Sequence, residues 1–384
     1  MSDIIIDVTR LLWRLLKKRL PTGVDRVSQA YIHYFADRAK AVVRIGNYRM
    51  FLSQSGSLKL FDALSSPAVD RSQLMNQLLH NELFSGFFTK NLSGSFVINT
   101  GHNGLEHESY LLWMQRLQVK PLFFVHDLIP IRYPEYCRPG IMEKHRSRMN
   151  NVLRYASGVI TNSQTTLDDL VRYAEKTGYR VPPSIAAPIT AAELPAPSSN
   201  RPVAEPYFLI LGTIEPRKNH LLLLQIWRNM IDRLGDRAPR LVIIGQRGWE
   251  CENVVDLLER CEALKGFVME LPACSDTDLA TYLHHAQALL FPSFAEGYGM
   301  PLMEALTAGV PVIASDLPVF REIAGNIPYY LDPLDSMGWI ACIEAFSLSS
   351  NQEPAAQKVR RVNFMQPTWA GHFQLVEEWM NGLA

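Results

Sequence analysis

A chain of 384 residues with 47% hydrophobic content has length and core material for two domains. Lys plus Arg and Asp plus Glu both number 38, so no summed field marks a nucleic-acid binder. The five cysteines are scattered, odd in number and free of any Cys-x-x-Cys pair, the pattern of reduced thiols in a cytoplasm. No apolar run reaches the ~18 residues of a membrane span, and Ile4 to Ile6, between Asp3 and Asp7, is too short and acidic for a signal peptide.

Short apolar runs at Ile4–Val8, Phe96–Ile98, Leu122–Val125 and Gly158–Ile160 read as buried strands, with helical periods between them. That alternation predicts a parallel sheet covered on both faces, in a domain spanning 1–190. Residues 191–206 hold four prolines and nothing to bury, which is linker composition. The alternation then restarts, with strands at Tyr207–Leu211, Leu241–Ile244, Ala288–Phe291 and Pro311–Ala314 and a helix at Leu221–Ile231. A second α/β domain over 207–366 is therefore expected. Phe373, Val376, Trp379 and Met380 recur at helical spacing in the tail 367–384, which should dock on one domain or the other.

Near the start, Arg10, Arg14, Lys17 and Lys18 fall opposite Leu11, Leu12, Leu15, Leu16 and Leu20 on a helical wheel. This basic amphipathic stretch, residues 10–20, fits peripheral contact with an anionic membrane; a core-facing helix with a solvated charged face fits it too. Asn99 to His102, His126-Asp127 and Asn162-Ser163 follow strands, where ligands of open α/β sheets bind, although a lone histidine after a strand is more often structural.

Two elements of the second half carry the chemistry. Tyr207-Phe-Leu-Ile-Leu-Gly212 is a strand ending in glycine, and Thr213-Ile-Glu-Pro-Arg-Lys-Asn219 puts Arg217 and Lys218 at its carboxyl end. A guanidinium fork beside a compact ammonium suits a diphosphate; an exposed basic turn is the plainer account. After the strand ending at Phe291 comes a loop with Glu296, Gly297, Tyr298 and Gly299, then Met300 and Pro301 opening a helix that carries Glu304. Such a helix start aims free N–H groups at an anion, and the two glutamates could accept hydrogen bonds from sugar hydroxyls. Taken singly, Glu304 could equally complement the helix dipole and Glu296 be a solvated loop acid. Asp276-Thr-Asp278 looks like a metal-binding Asp-x-Asp, but Ser275 and Asp278 have capping-box spacing before a helix at Leu279–Ala286, so no metal is expected.

Together, Gly-Thr-x-Glu-Pro-Arg-Lys-Asn, Pro-Ser-x-x-Glu-Gly-x-Gly-x-Pro-x-x-Glu and Ala-x-Gly-Val-Pro-Val-Ile-Ala-Ser resemble the retaining GT-B glycosyltransferases of family 4 (group 1). Thr22-Gly-Val-Asp-Arg-Val27 resembles that family's glycine loop, with Gly23 retained and Thr22 where a second glycine is usual. His126-Asp-x-x-Pro130 resembles a segment of its bacterial mannosyl- and rhamnosyl-transferases of polysaccharide assembly. The resemblance implies two Rossmann-like parallel α/β domains facing across a cleft, with the C-terminal helix crossing back to an acceptor-binding first domain. It implies catalytic roles for Arg217, Lys218, Glu296 and His126. Donor binding would fall to Gly23, Gly212, Thr213, Arg217, Lys218, Glu296, Gly297, Tyr298, Gly299, Met300 and Glu304. The implied donor is GDP-mannose, without metal or other cofactor, and the implied acceptor a glycan or lipid-linked glycan. A UDP- or dTDP-sugar donor, a sugar-nucleotide epimerase, a phosphorylase and a silent binding module are the rivals, although no pyridoxal-binding lysine environment for a phosphorylase is found.

Overall fold

Runs such as Ile4–Asp7, Phe96–Asn99, Tyr207–Leu211 and Val312–Ser315 have every residue buried, which only a strand covered on both faces requires. The computed structural model describes residues 3–17, 22–46, 48–65, 92–347, 352–362 and 364–383. The chain divides into two compact units. The first comprises residues 1–131, 142–189 and 368–384, and the second residues 132–141 and 190–367. Residues 132–141 thus leave the span 1–190 and pack with the second unit.

In the first unit, seven strands are β1 Ile4–Asp7, β2 Ala39–Ile45, β3 Tyr48–Phe51, β4 Phe96–Asn99, β5 Lys120–Val125, β6 Gly158–Thr161 and β7 Ser184–Ala186. They lie in the order β3-β2-β1-β4-β5-β6-β7. All pairings are parallel except β2 with β3, a hairpin at the sheet edge that the alternation pattern does not announce. Helices α1 Thr9–Leu16, α2 Gly23–Phe35, α3 Gln54–Ser65, α4 Glu108–Arg116, α5 Ile141–Tyr155 and α6 Gln164–Thr177 surround the sheet. One core cluster joins Ile5, Val97, Phe123 and Val159 of the strands to Leu111, Met149 and Leu170 of the helices.

The second unit carries β8 Tyr207–Leu211, β9 Arg240–Ile244, β10 Val268–Leu271, β11 Leu289–Phe291, β12 Val312–Ser315 and β13 Tyr329–Leu331, all parallel, in the order β10-β9-β8-β11-β12-β13. Helices α7 His220–Leu234, α8 Glu252–Arg260, α9 Asp276–His285, α10 Met300–Thr307, α11 Pro318–Ala324, α12 Ser336–Ser347 and α13 Gln352–Arg361 connect them. Trp227 and Trp339, both fully buried, fill the layer between α7, α12 and the sheet. Residues 191–206 form neither helix nor strand. In both sheets the strand order reverses in the middle, at β1/β4 and at β8/β11, and the carboxyl edge beside such a reversal is where open α/β sheets hold ligands.

The last helix, α14 Trp369–Gly382, belongs to the first unit. Its Phe373, Val376 and Met380 are buried, and His372 is a clasp. The His372 Nδ1 donates to the Ala187 carbonyl at 3.1 Å, which leaves Nε2 to accept from the Tyr31 hydroxyl at 3.0 Å. Burial pushes the His372 imidazole down to about 4. Burial acts likewise on His126, to about 4, and His220, to about 3. A folded-state pKa below the unfolded value of a base means stability that is complete above about 6.5 and lost as pH falls toward the folded value. The melting temperature should therefore drop between pH 7 and pH 5, each such histidine contributing a slope of at most ~1.4 kcal/mol per pH unit. His372→Phe should melt lower at pH 8 but show a flatter pH dependence; scanning calorimetry across this range checks both.

Candidate active site

β8 ends at Gly212, whose φ of +132° is left-handed, and a Cβ there would lie 3.3 Å from the Lys218 Cε. Thr213 follows half-buried, and the turn closes as a short 3-10 helix Pro216–Lys218 with Asn219 at φ +57°. Asn tolerates that conformation, and its Nδ2 donates to the Pro333 carbonyl at 2.9 Å. This turn folds Arg217 and Lys218 back toward the end of β11.

There the loop after Phe291 meets them. The Phe294 N–H donates to the Arg217 carbonyl at 2.9 Å, and Arg217 Nη1 donates to the Ala295 carbonyl at 2.8 Å. Glu296 then sits between both cations: Oε2 is 2.6 Å from Arg217 Nη1 and Oε1 is 2.6 Å from Lys218 Nζ. Ser293 Oγ donates to Oε1 at 2.7 Å, and Glu215 takes Arg217 Nη2 at 2.6 Å. Lys218 also lies over the Phe291 ring, 4.7 Å from its centroid. The Lys218 and Glu296 side chains are only 9% and 8% exposed, so these are buried charges that exist because they are paired. Burial alone would raise the Glu296 carboxyl, but Arg217 and Lys218 hold it at about 2. Burial lowers the Lys218 ammonium and raises the Glu215 carboxyl. The reading of Glu296 as a solvated loop acid is thus overturned, and in this structure its carboxylate is occupied by the cations.

Gly297 and buried Tyr298 lead to Gly299, with φ +117°. A Cβ at Gly299 would stand 2.7 Å from the Phe320 ring, so glycine alone fits this start of α10. Met300 is the first helical residue, and Glu304, 8% exposed, lies one turn further in. Gly212, Thr213, Arg217, Lys218, Glu296, Gly297, Tyr298, Gly299, Met300 and Glu304 therefore belong to one unit and flank its β8/β11 reversal.

Some contributors carry no expectation from the sequence. Glu215 and Ser293 lie inside the motifs already quoted, yet only folding shows that they complete the charge network. Residues 132–141 supply Tyr136, which stacks on Phe294 at 5.5 Å and accepts a hydrogen bond from Trp249 Nε1 on its backbone at 3.0 Å.

In the first unit, Gly23 opens α2 behind the N-cap Thr22, and Asp25 completes a capping box. Asp25 also takes Arg10 Nε at 2.8 Å and Arg14 Nε at 2.7 Å. These two arginines are thus held by a buried acid rather than forming a solvated face; Lys18 and Leu20 lie outside the described residues. His126 follows β5, and its Nε2 donates to the Thr100 carbonyl at 2.7 Å. It belongs to a buried trio with His102 and His145, ring centroids 5.3 and 5.6 Å from His102. Among the described residues no group of three or more His, Cys, Asp or Glu side chains is arranged to hold a metal ion. Ser275 caps α9, its Oγ accepting from the Asp278 N–H at 3.1 Å, which accounts for Asp276-Thr-Asp278.

Residues 195–333 match the family model of glycosyl transferases group 1. The chain is 29% identical over 271 residues to the serotype-specific mannosyltransferase WbdA of Escherichia coli, a match covering 64% of this chain and 32% of that protein. It is also 29% identical over 241 residues to the O-antigen chain mannosyltransferase B of Escherichia coli, covering 61% and 62%. The chain thus spans about a third of the length of the first of these relatives. Among solved structures, Anabaena HepE in complex with UDP and glucose superposes with a TM-score of 0.68 at 15% identity, covering 99% of this chain and 100% of that one. Sucrose-phosphate synthase of Thermosynechococcus elongatus gives 0.66 at 15%, covering 99% of both. The fold is accordingly GT-B, with two Rossmann-like α/β domains. No helix among the described residues is long and apolar enough to cross a membrane.

Removing Glu296 leaves buried Lys218 without its carboxylate and half-buried Arg217 short of one partner. Glu296→Ala should cost about 3–5 kcal/mol in a denaturant melt. Lys218→Ala/Glu296→Ala should cost less than the sum of the single changes, the double-mutant signature of a direct pair.

Proposed function

We propose that the chain transfers a mannosyl group from GDP-mannose, with retention at the anomeric carbon, to a glycan or lipid-linked glycan acceptor of surface polysaccharide assembly. The observation that carries this is the buried Arg217–Glu296–Lys218 network at the carboxyl edge of the β8/β11 reversal, inside the domain that matches group 1 glycosyl transferases. The mannosyl assignment leans on the two Escherichia coli mannosyltransferases to which the chain is similar.

In this reading the donor diphosphate competes with Glu296 for Arg217 and Lys218. As the glycosidic bond breaks, the sugar gains oxocarbenium character and negative charge accumulates on the departing diphosphate. The two cations meet that charge from positions fixed by folding, so no reorganisation is needed at the moment of reaction. Two protein cations also supply the charge neutralisation for which a divalent ion would otherwise be needed. The N-terminus of α10 at Gly299 adds the positive end of its helix dipole. Glu304 accepts from the ribose hydroxyls, and Glu296, released from part of its ion pairing, accepts from the transferred hexose. A donor phosphate oxygen takes the proton of the acceptor hydroxyl on the face the leaving group occupied, which gives retention. His126, kept neutral by burial, is a hydrogen-bonding partner for donor sugar or acceptor, and Gly23 lets backbone approach them. The five free cysteines are consistent with action in the cytoplasm. Membrane contact through residues 10–20 forms no part of the proposal, because Arg10 and Arg14 are engaged by Asp25.

The test is transfer by the purified chain with GDP-mannose, UDP-glucose and dTDP-rhamnose offered separately, using a mannose-terminated oligosaccharide as acceptor. GDP-mannose should be the productive donor, and the product linkage should be α. Lys218→Ala should lower turnover ~10²–10³-fold and Glu304→Ala should nearly abolish transfer, both with unchanged circular dichroism. Wild-type rates in both variants, or inversion at the anomeric carbon, would overturn the proposal.

A further inference from the structure

The strands of the second sheet all run the same way, so the edge opposite the Arg217–Lys218 turn is formed by their amino ends. At that edge lies a cavity of about 550 Å³ lined by Ala286, just before β11, by Gly309, Val310 and Pro311, just before β12, and by α13. The volume is that of a small-molecule pocket. Besides Gln357, its polar lining is cationic or titratable: His284 in the last turn of α9, and Lys358 and Arg361 on one face of α13, three residues apart. Among the described residues lining it, none is acidic.

The basic wall is held rigidly. The Gln357 side chain, buried to 2% exposure, clasps β12 by donating to the Val312 carbonyl at 2.8 Å and accepting from the Val312 N–H at 2.7 Å. This fixes α13, and with it Lys358 and Arg361, against the sheet. Arg361 lies across Gly309, φ +82°, where a Cβ would fall 2.6 Å from Nη1, and that nitrogen donates to the Leu306 carbonyl at 3.2 Å. One guanidinium bond to a neutral carbonyl leaves the rest of the fork for a charged partner, and bonds to an anion are about twice as strong as neutral ones. Neither Lys358 nor His284 makes a hydrogen bond elsewhere in the described structure.

We infer that this cavity is a second ligand site, for a small organic phosphate such as a sugar phosphate. Arg361 forks onto the phosphate oxygens, Lys358 adds a second positive charge, His284 donates a ring N–H, and the sugar ring rests on Val310 and Pro311. A single phosphate matches three donor side chains lining one cavity, and the small apolar floor matches a sugar ring better than bare inorganic phosphate. The site is separate from the transfer chemistry, and its existence does not depend on which donor the enzyme uses.

Calorimetric titration of the full chain with mannose 1-phosphate tests it, in a Lys218→Ala background that weakens binding at the opposite edge. That protein should bind at one saturable site, and adding His284→Ala and Lys358→Ala should weaken binding about tenfold or more with unchanged circular dichroism. Titration with inorganic pyrophosphate should compete, and vesicles of phosphatidylglycerol should not bind in a Lys358-dependent way. No saturable binding of mannose 1-phosphate at ~10 mM, affinity unaffected by the His284 and Lys358 changes, or Lys358-dependent binding to vesicles alone would each overturn the inference.

Discussion

A single carboxylate holding buried Lys218 and half-buried Arg217 is the constraint on which the proposed chemistry of the second unit rests. Water would solvate Arg217 and Lys218 separately, but packed behind Phe291 and Ala295 they persist only because Glu296 and Glu215 lie within 2.6 Å. The arrangement is costly as a stability device, since a well-packed apolar substitute is often as good. In the proposed function it presents fixed positive charge where a diphosphate exchanges for a carboxylate. The same network dictates backbone choices around it, from the left-handed Gly212 beside Lys218 to the hydrogen bond that ties Phe294 to Arg217.

Sheet topology decides where this network forms. Because β8 and β11 are neighbours whose connections depart to opposite sides, the loops after them diverge and leave a crevice at their carboxyl ends. The first unit repeats the device at β1 and β4. There Asp7, at the end of β1, gathers Arg44 Nε at 2.8 Å, Asn99 Nδ2 at 3.2 Å and the Tyr110 hydroxyl at 2.7 Å. One acid thereby locks three elements beside the reversal, as Glu296 does in the other half.

How far the sequence discloses this depends on how local the physics is. Strands buried on both faces announce themselves, so β1, β4, β5, β6, β8, β9, β11 and β12 are legible. β2 is not, because Lys40 and Arg44 interrupt its apolar run, and only the fold shows Arg44 answering Asp7. The edge strands β3, β10 and β13 are half-buried or exposed and carry no continuous apolar stretch. The site motifs are legible because each sits on one strand-to-helix turn. The ion pair that joins them is not, since Lys218 and Glu296 are 78 residues apart. Likewise the amphipathic pattern of α1 is visible, whereas the acid that captures its arginines lies on the next helix.

The route of the chain has a consequence for biosynthesis. The first unit is assembled from three stretches, and the last of them, residues 368–384, is translated only after the whole of 190–367. Until His372 reaches Tyr31 and Phe373 covers the neighbouring aromatic rings, part of that core faces water on the ribosome. Because 190–367 is translated before 368–384, the second unit can be complete while the first still lacks the helix that covers its aromatic seam.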